Sequence, residues 1–481
     1  MEVPTWIVDL VENRIYLASI MAIVTSMLII LVLNNVAIDP YIKATKWGVN
    51  LFEFYENNDD GNKIYFIGDS LPQWAIDSMI VEDYLNNKTH LTVGDFYDPE
   101  MWSGTLTYWM QADSTILINS PENHTAILSL RAASFYRNRT LVISSSGVPA
   151  AQVTVVPMSF INVSVPIYLA KGANTVRFHV PEGCERPSDI IELNNPDNRC
   201  LSVVIQNITL SKRESDQLDY NKNNNQSFKV YNLAHSGDNP KTRIIELPYI
   251  AKSKPKIAVF CLQYRLFSGL YSWDPSAIED RFALSAKKIM LDPYAKSFFN
   301  KKDLDLIQMD SMHLIAYKRM LLMPCLQLKL SKTPPFSEMP FITPPPARTE
   351  DGIKPNFKVD FIPPKTTIAP KENLPAITIS EKPTTQEEAL LHMISVLKSQ
   401  GIYVIIITMP YRSEYLQSFS SEFKNYYLSI INKTQCPHYD LTSYSADTEF
   451  YNVNHLNFYG RQNVSAKVAE IIRFEVLNAA K

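Results

Sequence analysis

The feature that most limits the fold of this chain is a long block of short β-type runs between two stretches that alternate strand and helix patterns. From about residue 104 to residue 210 the runs have the length of β-strands and are separated by Asn, Gly, Pro and Ser clusters. Seven or eight such runs are typical of a β-sandwich. On both sides, apolar runs such as 63–68 and 402–410 alternate with helical patterns. The sequence therefore predicts an α/β domain interrupted by an inserted all-β unit.

Shifts in composition give the predicted boundaries. Residues 60–100 form the first part of the α/β domain, residues 101–212 form the inserted sandwich, and residues 226–481 form the remainder of the α/β domain. Twelve of the 31 prolines lie between residues 333 and 383, where periodicity is weak, so we predict an extended loop or a lid there. A chain of 481 residues exceeds what one hydrophobic core supports, which agrees with two folded units.

An apolar run near the N-terminus predicts a membrane anchor within residues 1–40. Residues 15–33 carry no charge, and nineteen helical residues at about 1.5 Å each nearly span a bilayer core. A cleaved signal peptide is the alternative, although no small-x-small site follows the run. Eight sequons fit a glycosylated, exported body: Asn87, Asn123, Asn138, Asn162, Asn207, Asn225, Asn432 and Asn463. We predict a single-pass membrane protein with its C-terminal body outside the cytoplasm.

Charge and cysteine usage narrow the function classes. The net charge of −3 and the absence of a basic block argue against nucleic-acid binding. Cys184 and Cys200 bracket a polar loop between two strand-like runs, where a disulfide would close a short excursion; two free thiols are the alternative. Cys261, Cys325 and Cys436 show no CxxC or Cys/His spacing, so we predict no metal site.

Two polar residues at opposite ends of the chain have the chemistry of a reacting pair. A strand pattern ends at a Gly-Asp-Ser turn that carries Ser70, and a helical pattern follows. A serine in such a turn is exposed beside backbone N–H groups, which suits a nucleophile, although the same turn is an ordinary helix N-cap. His455 lies in a polar loop before a helix whose start is marked by Asn457 and Gly460. An imidazole on a loop can act as a base.

These segments resemble two blocks of the SGNH, or GDSL, hydrolase superfamily. Residues 64–71 (IYFIGDSL) look like its first block, and residues 455–462 (HLNFYGRQ) look like its last block. The resemblance implies a flavodoxin-like three-layer α/β fold. It also implies that Ser70 is the nucleophile that accepts the acyl group, that His455 is its general base, and that no cofactor is needed.

The middle blocks of the family are matched less fully. Residues 230–240 (VYNLAHSGDNP) look like the second block, which implies that the backbone N–H of Gly237 holds the oxyanion together with that of Ser70. The third block supplies an Asn side chain to the oxyanion, and Gln263 stands at the expected strand end instead. We predict a weaker oxyanion role for Gln263.

The largest departure from the family is Asn452, three residues before His455, where the family has an Asp that orients and stabilises the imidazolium. An amide cannot carry that charge, and in a Ser-His-Asp protease the equivalent change costs roughly 10⁴ in turnover because the wrong imidazole tautomer is favoured. Asp447 and Glu449 in the same loop are the candidate substitutes, and solvated carboxylates without a role are the alternative.

The chain also resembles anchored SGNH-like proteins of polysaccharide O-acyl transfer, DltD-like proteins among them, and its β-block resembles jelly-roll modules of surface-glycan enzymes. This likeness implies an acylated surface polysaccharide or glycan as substrate and a multi-pass membrane acyltransferase as partner. We predict an extracytoplasmic O-acyl esterase or acyltransferase acting on cell-surface carbohydrate. The alternative, favoured by Asn452, is a catalytically impaired SGNH-fold surface protein that binds glycan or scaffolds an envelope complex.

Overall fold

Three five-stranded β-sheets, one parallel and two antiparallel, form the framework of the described chain. The computed structural model describes residues 21, 25–26, 54–55, 61–102, 104–212, 227–235, 237–268, 292–299, 301, 304, 363–368, 377–378 and 384–479.

The strands follow one another along the chain in three groups. The first strand is β1 (Asn62–Gly68). The strands of the antiparallel sheets are β2 (His90–Val93), β3 (Glu100–Trp102), β4 (Thr105–Trp109), β5 (Asp113–Ser120), β6 (His124–Ser134), β7 (Arg139–Ser145), β8 (Val148–Val155), β9 (Ile161–Leu169), β10 (Gly172–His179) and β11 (Val203–Lys212). The remaining strands are β12 (Phe228–Asn232), β13 (Ile257–Leu262), β14 (Tyr403–Thr408) and β15 (His438–Asp440).

The helices flank the parallel strands in sequence. They are α1 (Ser70–Ala75), α2 (Ser78–Leu85), α3 (Pro240–Arg243), α4 (Leu247–Ser253), α5 (Pro293–Ser297), α6 (Thr385–Ser399), α7 (Ser413–Gln417), α8 (Ser421–Thr434) and α9 (Phe458–Ala479). Short 3₁₀ turns lie at Pro187–Asp189, Ile191–Leu193, Tyr264–Phe267 and Asp447–Glu449.

The parallel sheet has the strand order β12-β1-β13-β14-β15. Its strands are continuous apolar runs, and all six residues of β13 (IAVFCL) are buried, as expected of a sheet covered on both faces. Helix α9 packs against α1 and α2, while α6 packs against α3, α4 and α8. The chain passes from β1 to β12 on one side and then to β13 on the other. The direction in which strands are added therefore reverses at β1. In open parallel sheets, ligands generally bind at the carboxyl ends of the strands beside such a reversal.

Local sequence explains where the long helices start and stop. The hydroxyl of Thr384 accepts a hydrogen bond from the Glu387 backbone N–H at the start of α6. Gly401 follows α6 with φ +77°, a left-handed conformation that glycine adopts at low cost, and its N–H donates to the Lys398 carbonyl. Ser420 caps α8 in the same way as Thr384 caps α6, by accepting from the Phe423 N–H.

The antiparallel sheets have the orders β2-β5-β10-β7-β8 and β3-β4-β11-β6-β9. Strand β9 shows that these sheets have one buried face and one exposed face: Val163, Val165 and Ile167 are buried and alternate with exposed residues. These inward residues join a core that is separate from that of the parallel sheet. A second apolar cluster, centred on Trp109 and Val204, includes partly buried aromatic side chains: Tyr97, Trp102, Phe135 and Phe160.

Cys184 and Cys200 form a disulfide with their Cα atoms 5.3 Å apart. The bond closes the loop between β10 and β11 beside an antiparallel bridge between Glu185 and Leu201. Cys261 and Cys436 are free thiols, and Cys261 is fully buried in β13. Cys325 lies outside the described residues.

The predicted fold class is wrong as a description of the chain. We predicted an α/β protein with a flavodoxin-like three-layer domain, an inserted sandwich and one transmembrane helix. The described chain is instead rich in sheet of both kinds, since two of its three sheets are antiparallel and have their own apolar core. The structure is therefore a mixture of parallel and antiparallel sheets.

The predicted membrane anchor and single-pass localisation are also corrected. No helix among the described residues is long and apolar enough to cross a membrane. The longest of them, α9, is interrupted by charged residues such as Arg461, Lys467 and Glu470. Of the predicted span 15–33, only residues 21, 25 and 26 are described, and the others lie outside the described residues.

The strands β2 to β11 of the two antiparallel sheets, with their connecting loops, form the antiparallel unit. We predict that replacing Cys184 and Cys200 together by Ser lowers the free energy of unfolding of this unit by about 3 kcal/mol, because the bond closes a loop of 16 residues. Denaturant titration under non-reducing conditions measures this. Cys436→Ser is the control and leaves the midpoint unchanged. Equal midpoints for the double variant and the wild type would contradict the prediction.

Candidate functional site

Ser70 and His455 meet although 385 positions separate them in the sequence. The Nε2 atom of His455 lies 2.8 Å from the Ser70 hydroxyl oxygen. Ser70 is the first residue of α1, two residues after the end of β1, and His455 lies in the loop before α9. Because α9 packs against α1, the two elements hold the imidazole over the hydroxyl.

The turn that presents Ser70 is fixed from both sides. Asp69 caps α1, since its carboxylate accepts a hydrogen bond of 2.9 Å from the Leu71 N–H. Gly68 is required by close packing: a Cβ there would lie 2.5 Å from Pro72 Cγ and 2.6 Å from the carbonyl oxygen of Cys261. The serine therefore stands at the carboxyl edge of the parallel sheet on a turn with little freedom.

Asn452 sets the orientation of the imidazole. Its Oδ1 atom accepts hydrogen bonds from the backbone N–H groups of Asn454 at 3.1 Å and His455 at 2.9 Å. These two donors require the oxygen of the amide on this side. The same oxygen lies 3.2 Å from His455 Nδ1, so Nδ1 carries the proton and donates it. The lone pair of Nε2 is then available to accept the Ser70 hydroxyl.

The imidazole therefore has the tautomer that a general base needs, and not the wrong tautomer expected from an Asn at this position, because Asn452 presents its carbonyl and not its NH₂ group. The missing charge is a separate matter. Burial lowers the pKa of His455 to about 4, and the Trp74 ring centroid lies 4.7 Å from that of the imidazole. A protonated imidazole would face an amide dipole where a carboxylate would stabilise it.

Asp447 does not replace that carboxylate. Its two oxygens accept hydrogen bonds from the backbone N–H and the hydroxyl of Ser413, at 2.9 and 2.5 Å. These bonds hold the pKa of Asp447 below its ordinary value. The predicted substitute is thus engaged at the start of α7, while Nδ1 of His455 faces Asn452.

Gly237 lies in the loop after β12, the parallel neighbour of β1, and has φ +83°. This loop is bonded to the turn that carries Ser70, because the N–H of His235 donates to the Gly68 carbonyl at 3.2 Å. The structure thus brings the predicted second block beside the first. The oxyanion role of Gly237 stays a prediction.

Gln263 follows β13 and is buried, but its side chain points to Asp69 and not to the expected oxyanion position. Its Nε2 atom donates to the Asp69 carboxylate. Burial raises the pKa of Asp69 to about 7, against the opposing effect of its backbone hydrogen bonds. In this arrangement Gln263 supports the turn that carries Ser70, and it does not present its NH₂ group to an oxyanion.

Several residues of the site were not predicted. Trp74 lies four residues after Ser70 on the same face of α1, a spacing that could have indicated it. Its ring stacks on Tyr451, with centroids 5.4 Å apart and planes inclined by 24°. Arg243 gave no signal in the sequence, yet its guanidinium donates to the Gly68 carbonyl at 2.9 Å.

Part of the Pro-rich stretch braces the loop that carries His455. The N–H of Ile368 donates to the Tyr451 carbonyl at 2.6 Å, and the Phe458 N–H donates to the Pro364 carbonyl at 3.0 Å. The predicted loop or lid over residues 333–383 otherwise lies mostly outside the described residues. Its described part is a fixed contact of the site.

Neither a family model nor a curated protein matches this sequence. Among solved structures, the chain is similar to a peptidoglycan O-acetylesterase, with 8% identity, a TM-score of 0.29, and coverage of 90% of this chain and 97% of that chain. A family 35 carbohydrate binding module from an environmental isolate covers 26% of this chain and 97% of its own, with 11% identity and a TM-score of 0.18. The family 35 module from Clostridium thermocellum covers 26% of this chain and 92% of its own, with 13% identity and a TM-score of 0.17.

Structural similarities with TM-scores this low say nothing about the activity of this chain, and only its own residues bear on its function. Those residues place a serine hydroxyl against the free nitrogen of an oriented imidazole, at the edge of a parallel sheet.

We predict that Asn452→Asp raises the pKa of His455 from about 4 by roughly 1–3 pH units, because a carboxylate beside Nδ1 stabilises the imidazolium. NMR titration of the imidazole resonances measures this. Asn454→Asp is the matched control: it adds the same charge to the loop at a residue whose backbone N–H, and not its side chain, bonds to Asn452. Equal shifts in both variants would contradict a contact-specific effect.

Proposed function

We propose that this protein is an O-acyl ester hydrolase or acyltransferase of SGNH type that acts on acylated carbohydrate, with Ser70 as nucleophile and His455 as general base. The observation that carries the proposal is the 2.8 Å contact between Nε2 of His455 and the Ser70 hydroxyl, with Nδ1 of the same ring 3.2 Å from Asn452 Oδ1. A nucleophile, a base and a group that orients the base are the parts required for acyl transfer through a covalent intermediate.

In the first half-reaction the Ser70 hydroxyl oxygen attacks the ester carbonyl carbon, and Nε2 of His455 takes the hydroxyl proton. The carbonyl oxygen becomes an oxyanion near the backbone N–H groups of Ser70 and Gly237. The bond from the carbonyl carbon to the sugar oxygen then breaks, and the sugar oxygen takes the proton back from Nε2. The products are the free sugar hydroxyl and an acyl ester on Ser70.

In the second half-reaction a hydroxyl group attacks the acyl ester, and Nε2 again takes the proton of the attacking oxygen. The bond to the Ser70 oxygen breaks, and Nε2 returns the proton to Ser70. Water as the attacking group gives hydrolysis, and a sugar hydroxyl gives transfer. Both outcomes use the same residues, so the choice depends on which acceptor occupies the site.

Asn452 makes the imidazolium of each half-reaction more costly than an Asp would. The orienting function is kept, because the amide oxygen accepts from Nδ1. The charge-stabilising function is missing, and burial opposes protonation of His455 further. The proposed enzyme is therefore slower than one with a carboxylate, but its base stays unprotonated far into the acidic range.

Aromatic side chains support a carbohydrate as substrate. Trp74 and Tyr451 stack beside the reacting pair and are both partly exposed. On the antiparallel unit, Trp102 and Phe135 are partly exposed, and the Arg131 guanidinium lies 5.2 Å from the Phe160 ring centroid. Partly exposed aromatic rings flanked by polar groups are suited to stacking on sugar rings.

A binding or scaffolding protein with the same fold is the second candidate function, and the uncharged Asn452 is the observation that favours it. The two candidates differ in whether Ser70 reacts. A serine-directed fluorophosphonate probe forms a covalent bond only with an activated hydroxyl, so it separates them.

We predict that the wild-type protein is labelled by a fluorophosphonate, that Ser70→Ala abolishes labelling, and that His455→Ala slows it by about 10²-fold or more, because the base is lost. Intact-protein mass spectrometry measures the adduct. Ser413→Ala is the matched control, since the Ser413 hydroxyl also donates to a side chain, that of Asp447. This variant is expected to leave labelling unchanged. A wild-type protein that never reacts would favour the binding protein.

The pH profile gives a second test. His455 must be neutral to accept a proton, so its protonation lowers ester turnover as the pH drops through about 4 in the wild type. Asn452→Asp stabilises the imidazolium, which moves the acidic limb of kcat to higher pH and raises the plateau by about 10²-fold or more. An acidic limb that keeps its position in Asn452→Asp, or an unchanged plateau in that variant, would contradict the assignment.

A further inference from the structure

Arg243 is a fully buried cation that joins two strand ends at the site. Its side chain is 2% exposed, and it belongs to the short helix α3 after the loop of Gly237. One terminal nitrogen donates to the Gly68 carbonyl at 2.9 Å and to the Leu233 carbonyl. Gly68 ends β1 two residues before Ser70, and Leu233 directly follows β12. The guanidinium thus bridges the starts of both loops.

The same side chain also holds the Gly237 loop through charge. Its guanidinium lies 2.7 Å from Asp238 Oδ2, and Asp238 is the residue directly after Gly237. On the far side it lies 2.7 Å from Glu246 Oε2, which also accepts a hydrogen bond of 3.0 Å from the Tyr55 hydroxyl. Asp238 and Glu246 are 2% and 0% exposed, so the nearby cation offsets part of the cost of burying their charges.

A planar guanidinium suits this place better than an ammonium. It offers five N–H donors in a rigid fork and can bind carbonyls and carboxylates in different directions at once. A lysine has three donors on a single nitrogen, and it cannot reach Glu246 and both strand ends with the same geometry. The position of each loop relative to the other therefore depends on the shape of the Arg243 side chain as well as on its charge.

We propose that Arg243 is a positioning residue for ester cleavage: it fixes the turn of Ser70 and the loop of Gly237 so that both backbone N–H groups face one oxyanion. The inference rests on the proposed function and adds a residue to it. Arg243 acts through the two loops, which it holds by its contacts with Gly68, Leu233 and Asp238.

The oxyanion exists only after attack, so a misplaced loop raises the energy of the transition state more than that of bound ester. A displacement of about 1 Å can cost 10²-fold in rate. The loss is therefore expected in kcat, while KM stays nearly unchanged. The hydrogen bonds of His455 involve other residues, so the acidic limb of the pH profile keeps its position.

The test compares Arg243→Lys with Arg139→Lys. Arg139 is an equally buried arginine that donates to the Gly183 carbonyl and to Glu185, but it lies in the antiparallel unit. Both variants are expected to lose thermal stability. Only Arg243→Lys is expected to lose about 10–100-fold in kcat on a soluble aryl acetate, with KM within about twofold and an unmoved acidic limb.

A kcat for Arg243→Lys within about twofold of wild type, or an equal loss in Arg139→Lys, overturns the proposal. If Arg243→Lys does not fold, Asp238→Asn takes its place, because it loosens only the contact with the loop of Gly237; it is expected to lower kcat about 10-fold. Tyr55→Phe, at the far end of the network, is its control and affects stability alone. An unchanged kcat in Asp238→Asn also overturns the proposal.

These results are separable from the fate of the proposed function. Wild-type protein without ester turnover and without labelling at Ser70 refutes the proposed function, and the role of Arg243 falls with it. Wild-type protein that is active and labelled, together with an Arg243→Lys variant of undiminished kcat, refutes the role of Arg243 alone.

Discussion

The hydrogen bond between His455 and Ser70 depends on the packing of α9 against α1, which brings the last helix of the described chain beside the first. The inserted strands do not separate these two helices. The insertion leaves the parallel domain after α2 and returns before β12, and β12 pairs directly with β1. Because loop-closure entropy grows only slowly with length, a large unit can be inserted there at modest cost. The separate core of the insertion makes it self-sufficient.

Asn452 separates two functions that one carboxylate usually combines. Orienting the imidazole needs only an acceptor at Nδ1, and the backbone N–H groups of Asn454 and His455 fix the amide so that its oxygen is that acceptor. Stabilising the imidazolium needs negative charge, which an amide lacks. The cost of replacing Asp by Asn therefore depends on the surrounding donors. Where they fix the amide oxygen, the tautomer is preserved and only the electrostatic part of the loss remains.

Local signals marked the two residues, Ser70 by a Gly-Asp turn after an apolar strand and His455 by the start of a helix. The resemblance of both segments to blocks of one hydrolase superfamily then predicted them as a pair. The directions of side chains between elements could not be predicted. Gln263 points to Asp69, Asp447 to Ser413, and Arg243 to two strand ends. The predicted fold class was wrong because it gave the parallel sheet more weight than the two antiparallel sheets, which have as many strands each. The predicted transmembrane helix is not found among the described residues.

The antiparallel unit is also connected to the reacting pair, through the first turn of α9. The Tyr459 hydroxyl bonds to Asp95, and the Gln462 side-chain oxygen accepts from Thr92 at 3.2 Å and Asn119 at 3.4 Å. These bonds lie within seven residues of His455, so they restrain the same loop that Asn452 closes and that Ile368 braces. An imidazole that has no carboxylate to hold it by charge depends more heavily on such restraints. The inserted unit therefore helps to hold the imidazole in place.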